Sequence, residues 1–123
     1  MDSFYQQAYT MLSSPQVRDA FDLSHESDDT KAAYGYGRYL ENGHYGKPYG
    51  AQAGMRMLLA RRLVEAGARF VTLTFGGWDT HTQIREGYQK QMPALDNAIA
   101  NLIRDLDQRG LLDNTLVWIA SEF

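Results

Sequence analysis

The chain has 123 residues, of which 44% are apolar and 22% are charged, with a net charge of −3 and no cysteine. This composition is that of one globular domain, or part of one, with enough apolar side chains for a core. The small negative charge and the scattered basic residues exclude nucleic acid as the main partner. The lack of cysteine excludes disulfides, thiolate nucleophiles and Cys-type zinc sites. Neither a signal peptide nor a membrane-spanning stretch is predicted, so no membrane partner is expected.

The first fifty residues are predicted to form short helices followed by an irregular loop. Helical patterns separated by polar turns predict short helices over residues 3–12 and 15–21, followed by a turn that starts at Asp28-Asp29 and runs through Ala33. Residues 34–50 are crowded with Tyr and Gly, which is typical of a loop. This loop either covers the core irregularly or offers aromatic faces to a sugar or a peptide. His25 and His44 lack partners at ligand spacing, so both are predicted to be surface or structural histidines.

Two longer helices are predicted in the rest of the chain. Apolar residues recur at helical spacing over residues 52–66, and Gly67 fits a C-terminal cap. The second helix ends at Gly110, and Pro93 either lies in its first turn or kinks a longer helix that begins near Gln83. Its apolar stripe is expected to face the core and consists of Met92, Leu95, Ile99, Leu102 and Leu106.

Two strands complete this predicted pattern. Residues 69–75 and residues 115–120 are rich in β-branched and aromatic side chains. Strands joined by a helical crossover are parallel and the connection is right-handed. The sequence therefore predicts one partial α/β domain over residues 1–123, a piece of a parallel-sheet α/β/α sandwich. In it, residues 1–50 form a helical and Tyr/Gly-rich loop region, and residues 51–123 form a helix–strand–helix–strand core.

The candidate site is Gly-Gly-Trp-Asp-Thr-His at residues 76–81, directly after the first predicted strand. In open α/β folds ligands gather beyond the carboxyl ends of the strands, and both predicted strands would end at the same edge. Asp79, His81 and Glu122 are therefore expected to share one crevice. Carboxylate and imidazole are the usual protein ligands of Zn²⁺, Mn²⁺ and similar ions, so the sequence predicts a divalent metal site. The alternative is an Asp79 that caps the following helix and a His81 that closes a loop.

Other residues near the motif are predicted to have structural roles. Gly76 and Gly77 lack the spacing of a dinucleotide-binding loop and are expected to allow a sharp turn. Thr80 has no neighbouring base or metal that identifies it as a nucleophile. Arg61 and Arg62 are predicted to form a solvated helix face, with a bidentate clamp for an anionic substrate as the alternative.

Four stretches of the chain together point to one known family. They are Ala-Phe-Asp-Leu-Ser at residues 20–24, Leu-Ala-Arg-Arg-Leu-Val-Glu-Ala-Gly at residues 59–67, Gly-Gly-Trp-Asp-Thr-His at residues 76–81 and Ser-Glu-Phe at residues 121–123. In this order they resemble an uncharacterised sulfatase-like domain family of bacteria that is placed in the alkaline-phosphatase superfamily. The resemblance implies a parallel-sheet α/β fold, an exported or periplasmic location, and hydrolysis or transfer of sulfate or phosphate esters.

The resemblance also implies a metal centre and a nucleophile. Enzymes of the superfamily use one or two divalent ions, with Zn²⁺, Mn²⁺, Mg²⁺ and Ca²⁺ as candidates, and a Ser, Thr or modified Cys nucleophile. Asp79 and His81 match motif residues that supply metal ligands, and Glu122 matches the acidic residue of the family's Glu-Phe-Gly-Arg-Thr-Pro stretch. The family's N-terminal strands, which carry the nucleophile, and its later Asp-His pair have no counterpart in this sequence.

These matches and departures predict an internal part of a metal-dependent, sulfatase-like or phosphatase-like hydrolase. Such a chain is expected to be inactive by itself, and its complete form to take a small ester substrate. The rival interpretation is a non-catalytic α/β module in which Asp79 and His81 are structural and the Tyr/Gly segment binds a partner or a glycan. The unpaired edges of the two apolar strands also predict self-association into a homo-oligomer.

Overall fold

The computed structural model describes residues 3–39 and 51–121, except the side chains of Ala8, Met11, Leu12 and Ala51. Its helices are α1 (Ser3–Ser13), α2 (Pro15–Phe21), α3 (Asp28–Ala33), α4 (Ala51–Glu65) and α5 (Ile84–Gln108). Short 3₁₀ turns are formed at Leu23–His25 and Leu112–Asn114. The two predicted N-terminal helices and the two predicted longer helices are confirmed, and the turn predicted over residues 28–33 is a short α-helix. None of the described helices is long and apolar enough to span a membrane.

The predicted α/β fold is wrong. Over the described ranges the structure contains no β-strand and no sheet, and residues 69–75 and 115–120 belong to neither a helix nor a strand. No described backbone group forms a backbone hydrogen bond with residues 69–76 or 116–120. A strand exists only through the hydrogen bonds of a neighbour, and these two segments do not pair with each other. The described chain is all-helical, and not a parallel-sheet sandwich.

The two segments that were predicted to be strands nevertheless show the burial pattern on which that prediction rests. Val71, Leu73 and Phe75 are half-buried, while the residues between them are exposed. Val117 is likewise half-buried and packs against the core, while its neighbours are exposed. One face of each segment therefore lies on the helices. A strand-like sequence with one buried face does not by itself supply a partner for the backbone.

Helices α4 and α5 pack against each other and form the centre of the described fold. Ala53 on α4 is buried with Ala94 and Ala98 on α5, and Phe75 packs against this cluster. Small side chains at a helix crossing let the two axes come close. A second cluster contains the larger buried side chains, namely Tyr34, Leu58, Leu102 and Leu106.

Helix α5 runs through Pro93 from its start at Ile84, which confirms the longer of the two predicted helices. Its predicted apolar stripe is correct at Leu102 and Leu106, which are buried, and wrong at Met92, which is exposed. The buried positions of this part of α5 are instead Gln91, Ala94 and Ala98, and the two alanines pack with Ala53 of α4. Because successive residues are about 100° apart around a helix, a shift of one position is enough to turn Met92 outward.

Two glycines shape α4, Gly67 just after its end and Gly54 within it. Gly67 has φ +95°, and the amides of Gly67 and Ala68 donate to the carbonyls of Val64 and Leu63 at 2.9 Å each. This is a Schellman cap, which confirms the predicted end of the helix. Within the helix, a Cβ on Gly54 would lie 1.8 Å from the Tyr34 carbonyl oxygen. The backbone after α3 therefore rests directly on α4.

Candidate functional site

The Gly-Gly-Trp-Asp-Thr-His loop lies between the two central helices and is attached to both. On the α4 side, Arg56 Nη1 donates to the carbonyl oxygen of Thr74 at 2.8 Å. On the α5 side, Gln91 Nε2 donates to the carbonyl oxygen of Gly77 at 2.7 Å, and the Gln91 side chain is fully buried. Gly77 itself has φ +91°, so the turn at this point uses a backbone conformation that favours glycine. The start of the loop is fixed from two directions.

Trp78 holds the middle of the loop. Its indole N–H donates to the carbonyl oxygen of Phe75 at 2.9 Å. Its ring centroid lies 5.3 Å from that of Tyr88 on α5 and 5.8 Å from that of Phe75, in tilted arrangements. Such aromatic pairs typically contribute about 0.5–1.5 kcal/mol beyond the area they bury. Trp78 thus packs the loop against helix α5.

Asp79 and His81 occupy the exposed positions of this anchored loop. Their side chains are 69% and 82% exposed, and Asp79 Oδ2 lies 3.2 Å from His81 Nε2. Thr80, between them, is buried. In the described part of the chain, the polar contact of each member of the pair is with the other. The structure therefore brings together two of the three predicted metal ligands.

Asp79 does not cap the helix that follows. Helix α5 begins after Gln83, and no side chain caps its first turn. Gln83 instead has φ +55°, a left-handed conformation that is uncommon for a residue other than glycine. The structural interpretation of Asp79 as a helix cap is wrong.

The separation of the two donor atoms suits two ligands of one ion. Metal–ligand bonds of about 2.0–2.2 Å, at angles between octahedral and tetrahedral, place adjacent donor atoms roughly 3.0–3.4 Å apart. The 3.2 Å between Asp79 Oδ2 and His81 Nε2 falls in this range. Carboxylate oxygen and imidazole nitrogen also suit the divalent ions predicted from the sequence.

The third predicted ligand, Glu122, lies outside the described residues. Among the residues that are described, no group of three or more His, Cys, Asp or Glu side chains is arranged to hold a metal ion. The sheet edge at which the three ligands were expected to meet is absent from the same part of the chain. The described site therefore contains two of the three residues that were predicted to be ligands, Asp79 and His81.

The main polar feature that the sequence did not predict is centred on Arg61. This side chain is only 1% exposed, and its guanidinium forms ion pairs with Glu26 at 2.8 Å, Glu65 at 2.7 Å and Asp105 at 2.9 Å. The predicted solvated face is therefore wrong for Arg61. The burial had a sequence signal, because Arg61 follows the fully buried Leu58 by three positions and shares its helix face.

Arg62 and Arg109 extend this ion-pair cluster to its neighbours. Arg62 donates from Nη1 to Glu26 at 2.6 Å, from Nη2 to the Asp19 carbonyl at 2.6 Å and from Nε to the Ala20 carbonyl at 2.9 Å. Arg109 donates to both Asp105, at 2.6 Å, and Glu65, at 2.9 Å. The cluster thus joins α2, α4 and α5. These guanidinium groups are already occupied, so nothing supports the alternative role of a clamp for an anionic substrate.

The charges in this cluster change the titration of its members. Burial would raise the pKa of the Glu26 carboxyl, but hydrogen bonds from Arg61 and Arg62 outweigh burial and hold that pKa below its usual value. The Tyr34 hydroxyl donates to Asp105 Oδ2 at 3.0 Å, and burial together with the Asp105 charge raises the pKa of Tyr34. At neutral pH the Glu26 carboxyl is therefore ionised and the Tyr34 phenol is protonated.

The remaining candidate residues have local roles or lie outside the described ranges. His25 Nδ1 lies 2.7 Å from Asp19 Oδ1 at the surface, which confirms the prediction of a surface or structural histidine. His44 belongs to residues 40–50, which are not described, and so does most of the Tyr/Gly segment. Of that segment's first residues, Tyr34 is buried in the core and Tyr36 is exposed.

Comparison with known proteins places the chain in one family. A family model described as "Protein of unknown function (DUF1501)" matches residues 1–123. No curated protein and no solved structure matches the chain. The predicted membership of an uncharacterised domain family is confirmed, at the level of a family whose function is unknown. Because the match covers the whole chain, the protein belongs to the DUF1501 family.

Proposed function

We propose that the chain supplies Asp79 and His81 as metal ligands to a divalent-metal-dependent hydrolase of sulfate or phosphate esters. One observation carries the proposal: a carboxylate oxygen and an imidazole nitrogen lie 3.2 Å apart, both exposed, on a loop that Trp78 and Gln91 attach to the fold. The resemblance of the loop sequence to a sulfatase-like family supports the choice of reaction. The alternative of a purely structural Asp79 and His81 is less well supported, because neither packs in the core nor caps α5.

The anchoring of the loop supports a role in holding a ligand. Gln91 and Trp78 keep the loop backbone in place from the buried side. Preorganised ligands lose less conformational freedom when an ion binds than ligands on a free loop do. A surface pair without a function would not require a fully buried amide and an aromatic stack to hold its loop.

The proposed metal centre needs a further ligand, and Glu122 is our candidate for it. A bound divalent ion would orient the ester and offset the negative charge that develops on the transferred group. Asp79 and His81 would position that ion. Two ligands alone should bind an ion weakly, and no residue in the described part of the chain has been identified as a nucleophile. We therefore expect the chain by itself not to hydrolyse aryl phosphates or aryl sulfates.

Metal binding can be tested on the chain with Mn²⁺, whose unpaired electrons broaden nearby proton resonances in NMR spectra. Added Mn²⁺ should broaden the ring protons of His81 first. Asp79→Asn should raise the Mn²⁺ concentration that broadens the His81 resonances by at least about tenfold, because losing even an outer-shell partner commonly weakens metal binding by that factor. Asp113→Asn removes an exposed carboxylate elsewhere and is the matched control. Equal broadening at His81 with and without the Asp79 carboxylate would contradict the proposal.

The assignment of the reaction needs a separate test. Where the gene encodes a longer polypeptide, that product should hydrolyse an aryl phosphate or an aryl sulfate in the presence of a divalent ion. Asp79→Asn and His81→Gln should each remove this activity while leaving the circular dichroism spectrum unchanged. Activity that survives both substitutions would overturn the hydrolase proposal even if the pair binds Mn²⁺, and would favour a non-catalytic module.

A further inference from the structure

The segment Thr-Leu-Val-Trp-Ile-Ala at residues 115–120 has an apolar face with nothing on it in the described structure. Leu116 and Trp118 are 88% and 84% exposed, and Ile119 is also exposed. On the other face, Val117 packs against the cluster that contains Leu58 and Leu102. Thr115 has φ −125° and ψ 116°, so the segment starts in an extended conformation. It is attached to the helices by one face only.

Beyond Thr115, whose amide donates to the Leu112 carbonyl, the backbone of this segment has no backbone partner among the described residues. In the described part of the chain, no backbone group bonds to the N–H or C=O groups of residues 116–120. Native proteins usually protect such an edge with Lys, Pro or a bulge. This segment contains no charged residue, no Pro and no Gly. It combines strand-forming side chains, exposed apolar area and free backbone groups, which is the pattern of an edge that pairs with another strand.

We propose that this edge pairs with the same segment of a second copy of the chain, antiparallel and across a two-fold axis at Val117. In that register Leu116 of each copy lies opposite Trp118 of the other. Both residues are on the exposed face, so the dimer gains two aliphatic–aromatic cross-strand pairs, and Val117 stays on the helices in both copies. No charges are brought together, because the segment has none. One contact with a second copy therefore covers the exposed apolar side chains and supplies hydrogen-bond partners to the backbone.

The exposed area suits a weak dimer. Leu116, Trp118 and Ile119 together expose roughly 400 Å² of apolar side chain per copy, which is about half of the ~800 Å² per partner in a standard interface. The paired backbone and the adjoining surface add to the area buried in the dimer. We expect reversible dimerisation that depends on protein concentration. This proposal does not depend on the metal site.

Sedimentation velocity over a wide range of concentrations tests the proposal on the intact chain. The wild type should form dimers, and Trp118→Lys or Leu116→Lys should weaken dimerisation at least roughly tenfold. Phe70→Lys is the matched control, because Phe70 is an equally exposed apolar residue outside the segment. Circular dichroism and urea unfolding should show that all three variants fold. A wild type that stays monomeric, or a dimer that only Phe70→Lys dissociates, would overturn the proposal.

The register has its own test, because the chain contains no cysteine. A mixture of Leu116→Cys and Trp118→Cys chains should form mixed disulfide dimers on mild oxidation. Opposed residues of an antiparallel pair have Cα atoms about 4.5–5.5 Å apart, which lies within the range of about 4.4–6.8 Å that a disulfide bridges. Each variant alone should form disulfide dimers much more slowly, because identical positions are then diagonal to each other. Equal rates of disulfide formation in the mixture and in the separate variants would refute this register.

Discussion

At the scale of single residues, a contact between sequence neighbours could be predicted, as for Asp79 and His81, whereas the burial of Arg61 could not. The contact between Asp79 and His81 could be predicted, because two residues that are close in sequence on a loop are also close in space. The burial of Arg61 could not be predicted from its type. It depends on Glu26 and Asp105, which are 35 and 44 positions away along the chain and show no local sign of their contact. Ion pairs between residues that far apart in the sequence are set by how the helices pack.

Removing the Arg61 guanidinium should be costly. Arg61→Leu would leave Glu26, Glu65 and Asp105 converging without their shared cation. Breaking a buried ion pair typically costs about 3–5 kcal/mol, so we expect a loss of that order in the free energy of unfolding measured with urea. Arg85→Leu removes an exposed arginine of α5 and should change the free energy of unfolding by less than about 0.5 kcal/mol. A loss at Arg61 no larger than that control would mean that the ion pairs contribute little.

Glu26 should make the stability of the fold depend on pH. Its pKa is lower in the folded chain than its ordinary value of 4.5, because Arg61 and Arg62 favour the charged form against the effect of burial. The unfolded state therefore binds the proton more readily, and the stabilisation by Glu26 is present above pH 4.5 and lost as the pH falls through the folded-state pKa. The difference in unfolding free energy between the wild type and Glu26→Gln should shrink from pH 7 to pH 3. A difference that does not change with pH would contradict this account.

At the scale of the elements, the helices could be predicted from the sequence and the strands could not. Helix α2 was predicted at its observed bounds, and Gly67 ends α4 where expected, because caps and periodicity are local properties of the chain. The segments around Val71 and Val117 have strand-like sequences, but a strand also needs a neighbour with free hydrogen-bonding groups. That requirement is not local, and in the described chain it is not met.

The crossing of α4 with the backbone after α3 leads to a test of packing. Gly54→Ala should raise the intrinsic helix propensity of α4 by about 1 kcal/mol, yet we expect it to destabilise the protein by about 1–3 kcal/mol. The reason is that the new Cβ would lie 1.8 Å from the Tyr34 carbonyl oxygen, and a backbone atom cannot move aside cheaply. Gly76→Ala is the control, because a Cβ there meets nothing within 4 Å. Thermal unfolding of both variants measures the change in stability. A Gly54→Ala chain that is more stable than the wild type would refute the close contact.

At the scale of the whole molecule, the fold separates a fixed interior from the two exposed surfaces for which we propose functions. The ion-pair cluster around Arg61 joins α2, α4 and α5, while Gln91 and Arg56 attach the motif loop to the same helices. The pair Asp79 and His81 is presented on one surface, and Leu116 and Trp118 lie on an exposed edge. The sequence predicted the motif and the apolar segments, but it did not predict the helical framework that holds them in place.

The central claim is that Asp79 and His81 are ligands of one divalent ion, and anomalous X-ray scattering from crystals grown with Mn²⁺ tests it most directly. The account predicts an anomalous peak about 2.0–2.3 Å from both Asp79 Oδ2 and His81 Nε2. It also predicts that the peak is lost in His81→Gln crystals grown under the same conditions. A peak elsewhere, for example beside His25 and Asp19, with none at the Asp79–His81 pair would contradict the claim.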